Sequence, residues 1–182
     1  MEEYIDIWSS DGQPTGQSCL KDEAHQNGWF HPTVHIWFYN ATPALLLQKR
    51  SLTKDTFPGF WDVSVAGHVS AGESILDGAI REVKEEIGLD IIASDLKPLD
   101  IRKNTNRFKN GIIDCEFQHV FLVKLDTELS QLRIQESEVD AIRLFSFEEL
   151  QSCRRQKHPI YSIVPADMRY YQFVMDAVSK IL

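Results

Sequence analysis

The stretch that decides the fold is residues 67–89, GHVSAGESILDGAIREVKEEIGL. Gly67 and Gly72 suit a tight turn in which the backbone comes close to a ligand, because glycine has no side chain to obstruct the approach. The pattern then predicts a helix from about Ser74 to Ile87, with Gly88 as its C-cap. The apolar residues of this helix recur at helical spacing and predict one apolar stripe: Leu76, Ile80, Val83 and Ile87.

The same helix carries Glu82, Glu85 and Glu86 at positions i, i+3 and i+4. This spacing places the three carboxylates on one face, which we expect to point away from the apolar stripe. Like charges so arranged destabilise a helix by roughly a few tenths of a kcal/mol per pair, a cost that a divalent cation removes. A dense set of hard oxygen ligands predicts Mg2+ or Mn2+ rather than zinc. The alternative is a solvated acidic face, partly compensated by Arg81 and Lys84.

Together these residues match the defining positions of the Nudix box, and the chain resembles the Nudix family. That family hydrolyses diphosphate linkages that join a nucleoside diphosphate, or another diphosphate, to a second group. The resemblance extends over roughly residues 29–150, with the box as its highly specific part. It implies an α/β/α sandwich around a mixed sheet and a magnesium site on the box helix. The matched positions are Gly67, Glu73, Arg81, Glu82, Val83, Glu85, Glu86, Gly88 and Leu89.

The length and composition of the chain are typical of a globular protein with one domain of ordinary size. It has 182 residues and a formal net charge of -8. We expect a single domain over 1–182, with an N-terminal extension over 1–28, a core over 29–150 and a C-terminal helical region over 151–182. The acidic balance argues against a nucleic-acid polymer as partner. No run approaches the ~18 apolar residues of a membrane span, the N-terminus lacks signal-peptide features, and the cysteines are widely spaced, so we expect a cytoplasmic protein.

Residue patterns on both sides of the box predict further elements. Residues 9–16 have turn chemistry, and Ser146 is a good N-cap for a helix that carries Glu149 at the capping-box position. A last helix should follow Pro165. The predicted strands are Tyr4–Trp8, His31–Asn40, Ala44–Arg50, Trp61–Ala66, Pro98–Asn104, Ile112–Leu125 and Val139–Phe145, the second and third as a hairpin; a short helix is predicted over Leu20–Asn27.

A second resemblance concerns residues 50–73, RSLTKDTFPGFWDVSVAGHVSAGE. This segment is similar to the corresponding region of isopentenyl-diphosphate isomerases, a branch of the same fold. In that branch the residues matching Arg50 and Lys54 contact the substrate diphosphate, and Lys21 aligns more weakly with the same part. Cations on a loop that faces a carboxylate helix could clamp phosphate oxygens. The alternative is that these cations are solvated surface residues.

The isomerase resemblance also implies a second metal site. The isomerases place metal-binding histidines at the positions matching His31 and His68, and carboxylates at those matching Asp114 and Glu116. Several His and carboxylate ligands would suit a transition metal, whereas the alternative for the two histidines is an ordinary structural role. His25 falls near a further isomerase histidine, although the spacing is one residue short, and the alternative is that it is an ordinary surface or core residue. Two other histidines are interpreted as ordinary core or surface residues: His35 and His119.

Two departures from the isomerases favour hydrolysis. The isomerases need a Cys directly before the Gly-His pair, where this chain has Ala66. Cys115 lies beside Glu116, but on a strand its side chain should point to the opposite face. The isomerases also carry a degraded box, with Arg in place of Glu82 and no acid in place of Glu85.

We therefore expect a metal-dependent hydrolase in which water attacks a phosphorus of a small-molecule diphosphate of nucleoside or isoprenoid type. Mg2+ or Mn2+ on Glu82, Glu85 and Glu86 would generate the nucleophile and neutralise the phosphates, with the carbonyl of Ala66 or of the next residue as a further ligand. The general base would be a box carboxylate or Glu116. The alternatives are an isomerase, disfavoured by Ala66, and a non-catalytic nucleotide-binding regulator, disfavoured by the intact box. A third alternative is a housecleaning enzyme with a broad substrate range.

For the remaining box positions we expect structural roles. Arg81 should pair with Glu73 or a neighbouring acid and so hold the helix. Gly67 and Gly88 should shape the turn before the helix and the cap after it.

Overall fold

The computed structural model describes residues 2–156, 161–165 and 168–182. Parts of the predicted C-terminal helical region, residues 157–160 and 166–167, lie outside this description. The elements, in chain order, are β1 (Tyr4–Trp8), β2 (Pro14–Leu20), α1 (Lys21–Asn27), β3 (His31–Tyr39), β4 (Ala44–Arg50), β5 (Trp61–Asp62), β6 (Val65–His68), α2 (Ile75–Ile87), β7 (Lys97–Arg107), β8 (Ile113–Lys124), β9 (Val139–Ser146), α3 (Phe147–Gln156) and α4 (Met168–Ser179).

The described strands form a mixed sheet and a separate hairpin. The main path of the sheet runs β5-β4-β3-β8-β7, with β6 on the edge of β3 and β9 on the edge of β4. Strands β3 and β8 are parallel, and the other pairs are antiparallel. The hairpin consists of β1 and β2. Because β6 lies beside β3, the turn that leads into α2 starts directly at the middle of the sheet.

The sheet separates two apolar clusters. One contains Trp37, Phe145 and the buried face of α4, and the other contains Ile36, Phe121 and the buried face of α2. Each helix thus covers one face of the sheet. This arrangement confirms the predicted α/β/α sandwich around a mixed sheet.

Helix α2 begins and ends where the sequence predicts. The Ser74 side chain accepts a hydrogen bond from the backbone N–H of Asp77, and Gly88 adopts a left-handed conformation with φ 68°. A side chain would be strained at that φ, so glycine permits the helix to end there.

The predicted faces of α2 need correction. Leu76 is 41% exposed, and the apolar stripe instead starts with Ile75 and continues through Ala79. Glu82 and Glu86 do not point away from the core, since both are buried beside Val83 and Ile87. The reason is geometric: residues 82 and 86 precede 83 and 87 by one position, and a helix that packs closely on a sheet buries more than a narrow stripe.

Two strand predictions also differ from the structure. Residues 14–16, predicted as part of a turn, and Leu20, predicted as the start of a helix, belong to β2 (Pro14–Leu20). Pairing with β1 stabilises this strand, which has almost no apolar periodicity. The predicted strand Trp61–Ala66 is interrupted at residues 63–64. The Ser64 hydroxyl accepts from the Phe38 N–H and donates to the Leu46 carbonyl. Ser64 thereby bridges β3 and β4 where they diverge, which explains why the predicted hairpin is paired only at its turn.

The capping box before α3 is confirmed. The Glu149 N–H donates to Ser146 Oγ at 3.1 Å, and the Ser146 N–H donates to a Glu149 carboxylate oxygen at 2.9 Å. No helix among the described residues is long and apolar enough to cross a membrane.

Candidate active site

A cavity of about 1020 Å³ opens on the face of the sheet formed by β6, β3, β8 and β7. Helix α2 contributes carboxylates at one side, and the end of β4 with the loop after it contributes the cations Arg50 and Lys54 at another. Nearly all the predicted site residues line it: Lys21, Arg50, Lys54, Ala66, Gly67, His68, Arg81, Glu82, Glu85, Glu86, Asp114 and Glu116. His31 lies at 3.7 Å from Asp114, within the same cluster.

The three box glutamates reach the cavity in different environments. Glu86 is 4% exposed and accepts a hydrogen bond from Gln48 Nε2 at 2.9 Å. Glu82 is also buried, whereas the Glu85 side chain is 51% exposed. The structure therefore brings all three to one cavity but leaves only Glu85 largely exposed.

Arg81 fixes the carboxylates of α2. Its guanidinium donates to both carboxylate oxygens of Glu73 at 3.0 and 2.9 Å, to Glu82 at 2.8 Å, to Glu85 at 3.0 Å and to the His68 carbonyl at 2.9 Å. The planar guanidinium suits this because it presents several donors in fixed directions. Arg81 thus joins the turn before α2 to the acidic face of the helix.

Gly67 permits the closest approach in the site. A Cβ atom at this position would lie 2.1 Å from the carboxyl carbon of Glu82. Any side chain at residue 67 would therefore displace that carboxylate. The φ of Gly67 is not in the left-handed region, so the backbone conformation of β6 does not itself require glycine. Glycine is needed here because it permits the close contact between β6 and α2.

Burial perturbs the ionisation of the α2 carboxylates. Removal from water raises the pKa of Glu82 to about 7, against the lowering effect of Arg81. Burial and the neighbouring charge of Glu82 raise the pKa of Glu86 to about 8. Carboxylates with raised pKa values at a cavity wall are typical of functional sites, and a bound cation would favour their charged forms.

A second group of ligand-type atoms converges beside the box. Ligand atoms of His25, His31 and His68 lie within 4.8 Å of one another, and so do those of His31, Asp114 and Glu116. We call these five residues the histidine–acid cluster. They come from α1, β3, β6 and β8, and the parallel register of β3 and β8 places His31 directly beside Glu116. In the described chain the box glutamates do not converge in this way.

The histidine–acid cluster fits a metal ion. His31 Nδ1 lies 2.9 Å from the Trp29 carbonyl, so the protonated nitrogen faces the backbone and Nε2 presents its lone pair to the cluster. Among the described residues, His31 Nε2 and Asp114 Oδ1 are buried atoms without a hydrogen-bond partner. Burial lowers the pKa of His25 to about 4, which leaves its imidazole neutral at neutral pH, as ligation requires.

His25 is the residue that the sequence comparison left out of register. Helix α1 ends at Gly28 in a left-handed conformation, and the chain turns there beside Ile113 and Cys115 at the start of β8. His25 Nε2 then lies 3.3 Å from His68 Nε2 and 3.9 Å from Asp114 Oδ1. The sequence signal for this arrangement is Gly28, which ends the short helix just after His25.

The predicted phosphate-binding cations line the cavity but are already paired. Lys21 forms an ion pair with Glu3, and Lys54 with Glu138. Arg50 lies 3.2 Å from Asp62 and also donates to the carbonyl and hydroxyl of Thr56 at 2.9 and 3.0 Å. These contacts hold the loop after β4 at the cavity, so a phosphate would have to exchange with carboxylate partners.

Comparison with known proteins decides the family. The NUDIX domain model matches residues 29–166. The chain belongs to the Nudix family. Relatives with this domain include the Nudix hydrolase 3 of Arabidopsis thaliana, 36% identical over 171 residues that make up 92% of this chain. The chain spans only 22% of that protein's length. This kinship supports the assignment of the chain as a hydrolase enzyme.

The second resemblance is also shown. The isopentenyl-diphosphate Delta-isomerase of Burkholderia multivorans is 33% identical over 126 residues, which cover 69% of each chain. A crystal structure from Deinococcus radiodurans matches 98% of both chains with a TM-score of 0.70 at 20% identity, and this likeness concerns the fold. The chain is thus a Nudix protein with isomerase-like relatives.

The Nudix cavity differs from the isomerase pattern at the position before the Gly-His pair. Ala66 lines the cavity there and offers no ionisable group. Cys115 is buried, and its Sγ atom lies 3.8 Å from the place of a Cβ at Gly28, so it faces away from Asp114 and Glu116 as predicted. His119 packs against Trp8 with ring centroids 5.5 Å apart, outside the cavity lining. His35, in contrast, lines the cavity and contacts Tyr170 Oη at 3.0 Å.

Proposed function

We propose that this Nudix protein is a metal-dependent hydrolase that cleaves a diphosphate linkage in a small molecule. The observation that carries the proposal is one cavity in which the carboxylates of α2 face cations from α1, from the end of β4 and from the loop after it. This juxtaposition suits a ligand that carries both bound cations and phosphate oxygens. The Nudix box supplies the carboxylates, and its full acidic set favours catalysis over a purely regulatory role.

Glu82, Glu85 and Glu86 would hold the catalytic Mg2+ or Mn2+, with the Ala66 carbonyl as a further ligand. Such cations supply positive charge that neutralises phosphate oxygens and activates water. Glu82 and Glu86 are fixed by burial, which positions them without help from substrate. Arg81 and Glu73 keep the helix face in place.

The histidine–acid cluster would hold a second metal ion. Three imidazoles with two carboxylates suit Mn2+ or another transition metal better than Mg2+. Its place at the cavity, next to Gly67 and the box helix, puts it within reach of the same substrate. His31 is oriented for this by its hydrogen bond to the backbone.

Two carboxylates can take the proton from the attacking water. Glu85 is the exposed member of the box, although Arg81 now contacts it at 3.0 Å. Glu116 lies on the floor and accepts a hydrogen bond from Gln118 Nε2 at 2.7 Å. The amide variants of both, compared at several pH values, distinguish them: loss of the base removes the acidic limb of the rate profile, whereas loss of a metal ligand raises the metal concentration required.

Arg50, Lys54 and Lys21 would bind the diphosphate. Each is held at the cavity by a carboxylate, so binding would replace one anionic partner by another. Loss of Arg50 should therefore weaken substrate binding, while its bonds to Thr56 mean that the loop after β4 also loosens. Lys54→Met tests binding more cleanly, since Lys54 has one described partner and sits within the loop.

The test is a hydrolysis screen over nucleoside, sugar and isoprenoid diphosphates with Mg2+ and with Mn2+. We expect phosphate or a monophosphate to be released from at least one compound, and release to stop when excess chelator is added. Hydrolysis that continues at full rate in chelator would contradict the metal mechanism. Absence of turnover on every compound, with either cation, would contradict the hydrolase proposal.

A further inference from the structure

The floor of the cavity is polar across four neighbouring strands. The strand registers align His68 of β6 with Thr33 of β3, Thr33 with Gln118 of β8, and Gln118 with Arg102 of β7. Directly paired residues of adjacent strands point to the same face. A single row of polar side chains therefore runs from the metal-binding edge of the floor to the β7 edge.

Arg102 differs from the other cations of the cavity. Five lysine and arginine side chains line it, and four of them form ion pairs with carboxylates. For Arg102 the described residues supply no carboxylate partner. Its Nη1 atom is buried without a hydrogen-bond partner among them, and so is Thr33 Oγ1 in the same row.

Packing holds the Arg102 guanidinium in place. Its Cζ atom lies 3.6 Å from the centroid of the Tyr170 ring. Tyr170 is buried, and its hydroxyl accepts from Trp37 Nε1 at 2.9 Å and contacts His35 Nδ1 at 3.0 Å. A guanidinium stacked on a fixed ring keeps its N–H edges free in a defined direction. Arg102 is thus positioned as a preformed anion-binding group.

Such an arrangement is costly without a ligand. A buried donor that lacks a partner loses its hydration without compensation, and the loss is larger for a charged group. A carboxylate or phosphate matches the two N–H groups on one edge of a guanidinium. The row from His68 to Arg102 crosses three strand spacings, about 14 Å at the backbone. The Arg102 guanidinium leans along this row towards β3, since it stacks on Tyr170, whose hydroxyl contacts His35 of β3. The distance that remains suits a group of about the size of a sugar.

We propose that Arg102 binds a second anion of the substrate, a phosphate or carboxylate carried by the group beyond the cleaved diphosphate. The inference rests on the proposed function for the location of the diphosphate. Thr33 and Gln118 lie beneath the intervening group and favour one rich in hydroxyls. An isoprenoid chain would instead remove these polar side chains from water without replacing their hydrogen bonds.

The test compares substrates that differ by one phosphate. Hydrolysis of coenzyme A is compared with that of dephospho-coenzyme A, NADPH with NADH, and geranyl diphosphate serves as the apolar example. We expect the phosphorylated member of a pair to have the higher kcat/KM by about 10- to 100-fold, the range for hydrogen bonds to charged groups. Arg102→Met keeps the contact with Tyr170 but should abolish the preference, and Arg102→Lys should retain part of it.

Arg107→Met is the matched control. Arg107 is on the same strand and is exposed, and it does not line the cavity. This variant removes the same charge and should keep the preference. Equal kcat/KM values within both pairs, a best rate with geranyl diphosphate, or an unchanged preference in Arg102→Met would each overturn the inference.

Binding measurements separate this inference from the hydrolase proposal. Calorimetric titrations with coenzyme A and dephospho-coenzyme A are made on the parent protein, Arg102→Met and Arg107→Met. If no compound is hydrolysed but the parent and Arg107→Met bind coenzyme A more tightly, and Arg102→Met does not, the hydrolase proposal fails and the anion site stands. If neither turnover nor binding discriminates between the two compounds, the anion site is overturned.

Discussion

The cavity contains two sets of candidate metal-ligand side chains that are built in different ways. The box glutamates come from little more than one turn of α2, and each is already hydrogen-bonded by Arg81 or Gln48. The histidine–acid cluster comes from four elements and contains buried ligand atoms that no described group satisfies. A cation at the box must compete with protein partners, whereas one at the cluster completes an unsatisfied set. We therefore expect exchangeable Mg2+ at the box and tighter binding of a transition metal at the cluster.

The largest expected effect is at the box. Glu85→Gln and Glu86→Gln should each lower kcat by about 10²- to 10³-fold, because each removes a negatively charged ligand that places positive charge at the reacting phosphate. Glu86→Gln should still fold, since the raised pKa of about 8 leaves the buried carboxyl largely neutral at pH 7 before metal binds. Steady-state rates at saturating Mg2+ are the measurement, with circular dichroism as the check on folding.

Glu148→Gln is the matched control for these two variants. Glu148 is exposed in the first turn of α3 and does not line the cavity. It should turn over at the parental rate. Folded box variants that also retain the parental rate would show that this face of α2 is not catalytic. The box glutamates would then no longer be a candidate metal site for the reaction.

The next effect tests the close contact between β6 and α2. Gly67→Ala should reduce kcat by about 10²-fold, because the new Cβ displaces the Glu82 carboxylate and misplacement by about 1 Å can cost that much. The fold should survive, since the clashing atoms are at the end of a flexible side chain. Combining Gly67→Ala with Glu82→Gln should cost little more than Glu82→Gln alone. Fully additive losses would mean that Gly67 acts through another group.

A smaller effect is expected at the histidine–acid cluster. His25→Ala should weaken Mn2+ binding by at least about tenfold, the lower end of the range for perturbed metal sites, because it removes one of three imidazoles. Titration calorimetry with Mn2+ measures the change. His119→Ala is the control, since His119 contacts Trp8 outside the cluster. Equal Mn2+ affinity in the His25 variant and the parent protein would show that His25 is not a ligand of the metal.

The two sets also differ in how far the sequence predicts them. The box residues lie within one helix, where a spacing of three and four residues fixes their relative positions, so Glu82, Glu85 and Glu86 could be grouped directly. Their burial could not be read in the same way, because it depends on how closely α2 approaches β6 at Gly67. The sandwich itself followed from the family resemblance carried by this one local motif.

The cluster shows why the remainder is harder to predict. His31 and Glu116 are 85 positions apart in the chain and meet through the parallel pairing of β3 with β8. His25 joins them only because α1 ends at Gly28 and turns the chain back. Arg102 has no motif at all, and its position follows from the β7–β8 register and the packing of Tyr170. The positions of such residues depend on which distant segments of the chain pair, and local sequence spacing does not predict that pairing.

The last prediction, with the smallest expected signal, is that the protein does not isomerise isopentenyl diphosphate. Isomerisation of isopentenyl diphosphate requires one group to deliver a proton to carbon and another to remove one from the opposite side. Glu116 could serve on one side of the cavity, but Ala66 carries no ionisable atom and Cys115 faces Gly28 on the other side of β8. We expect the compound to be hydrolysed or left unchanged, with no deuterium entering its carbon skeleton in deuterated water.

Mass spectrometry of the recovered isoprenoid provides the measurement, and a bacterial isopentenyl-diphosphate isomerase assayed in parallel shows that exchange is detectable. Enzyme-dependent deuterium incorporation would mean that the histidine–acid cluster performs proton transfer with a partner other than cysteine. In that case the cluster, rather than the box, would be the catalytic member of the pair.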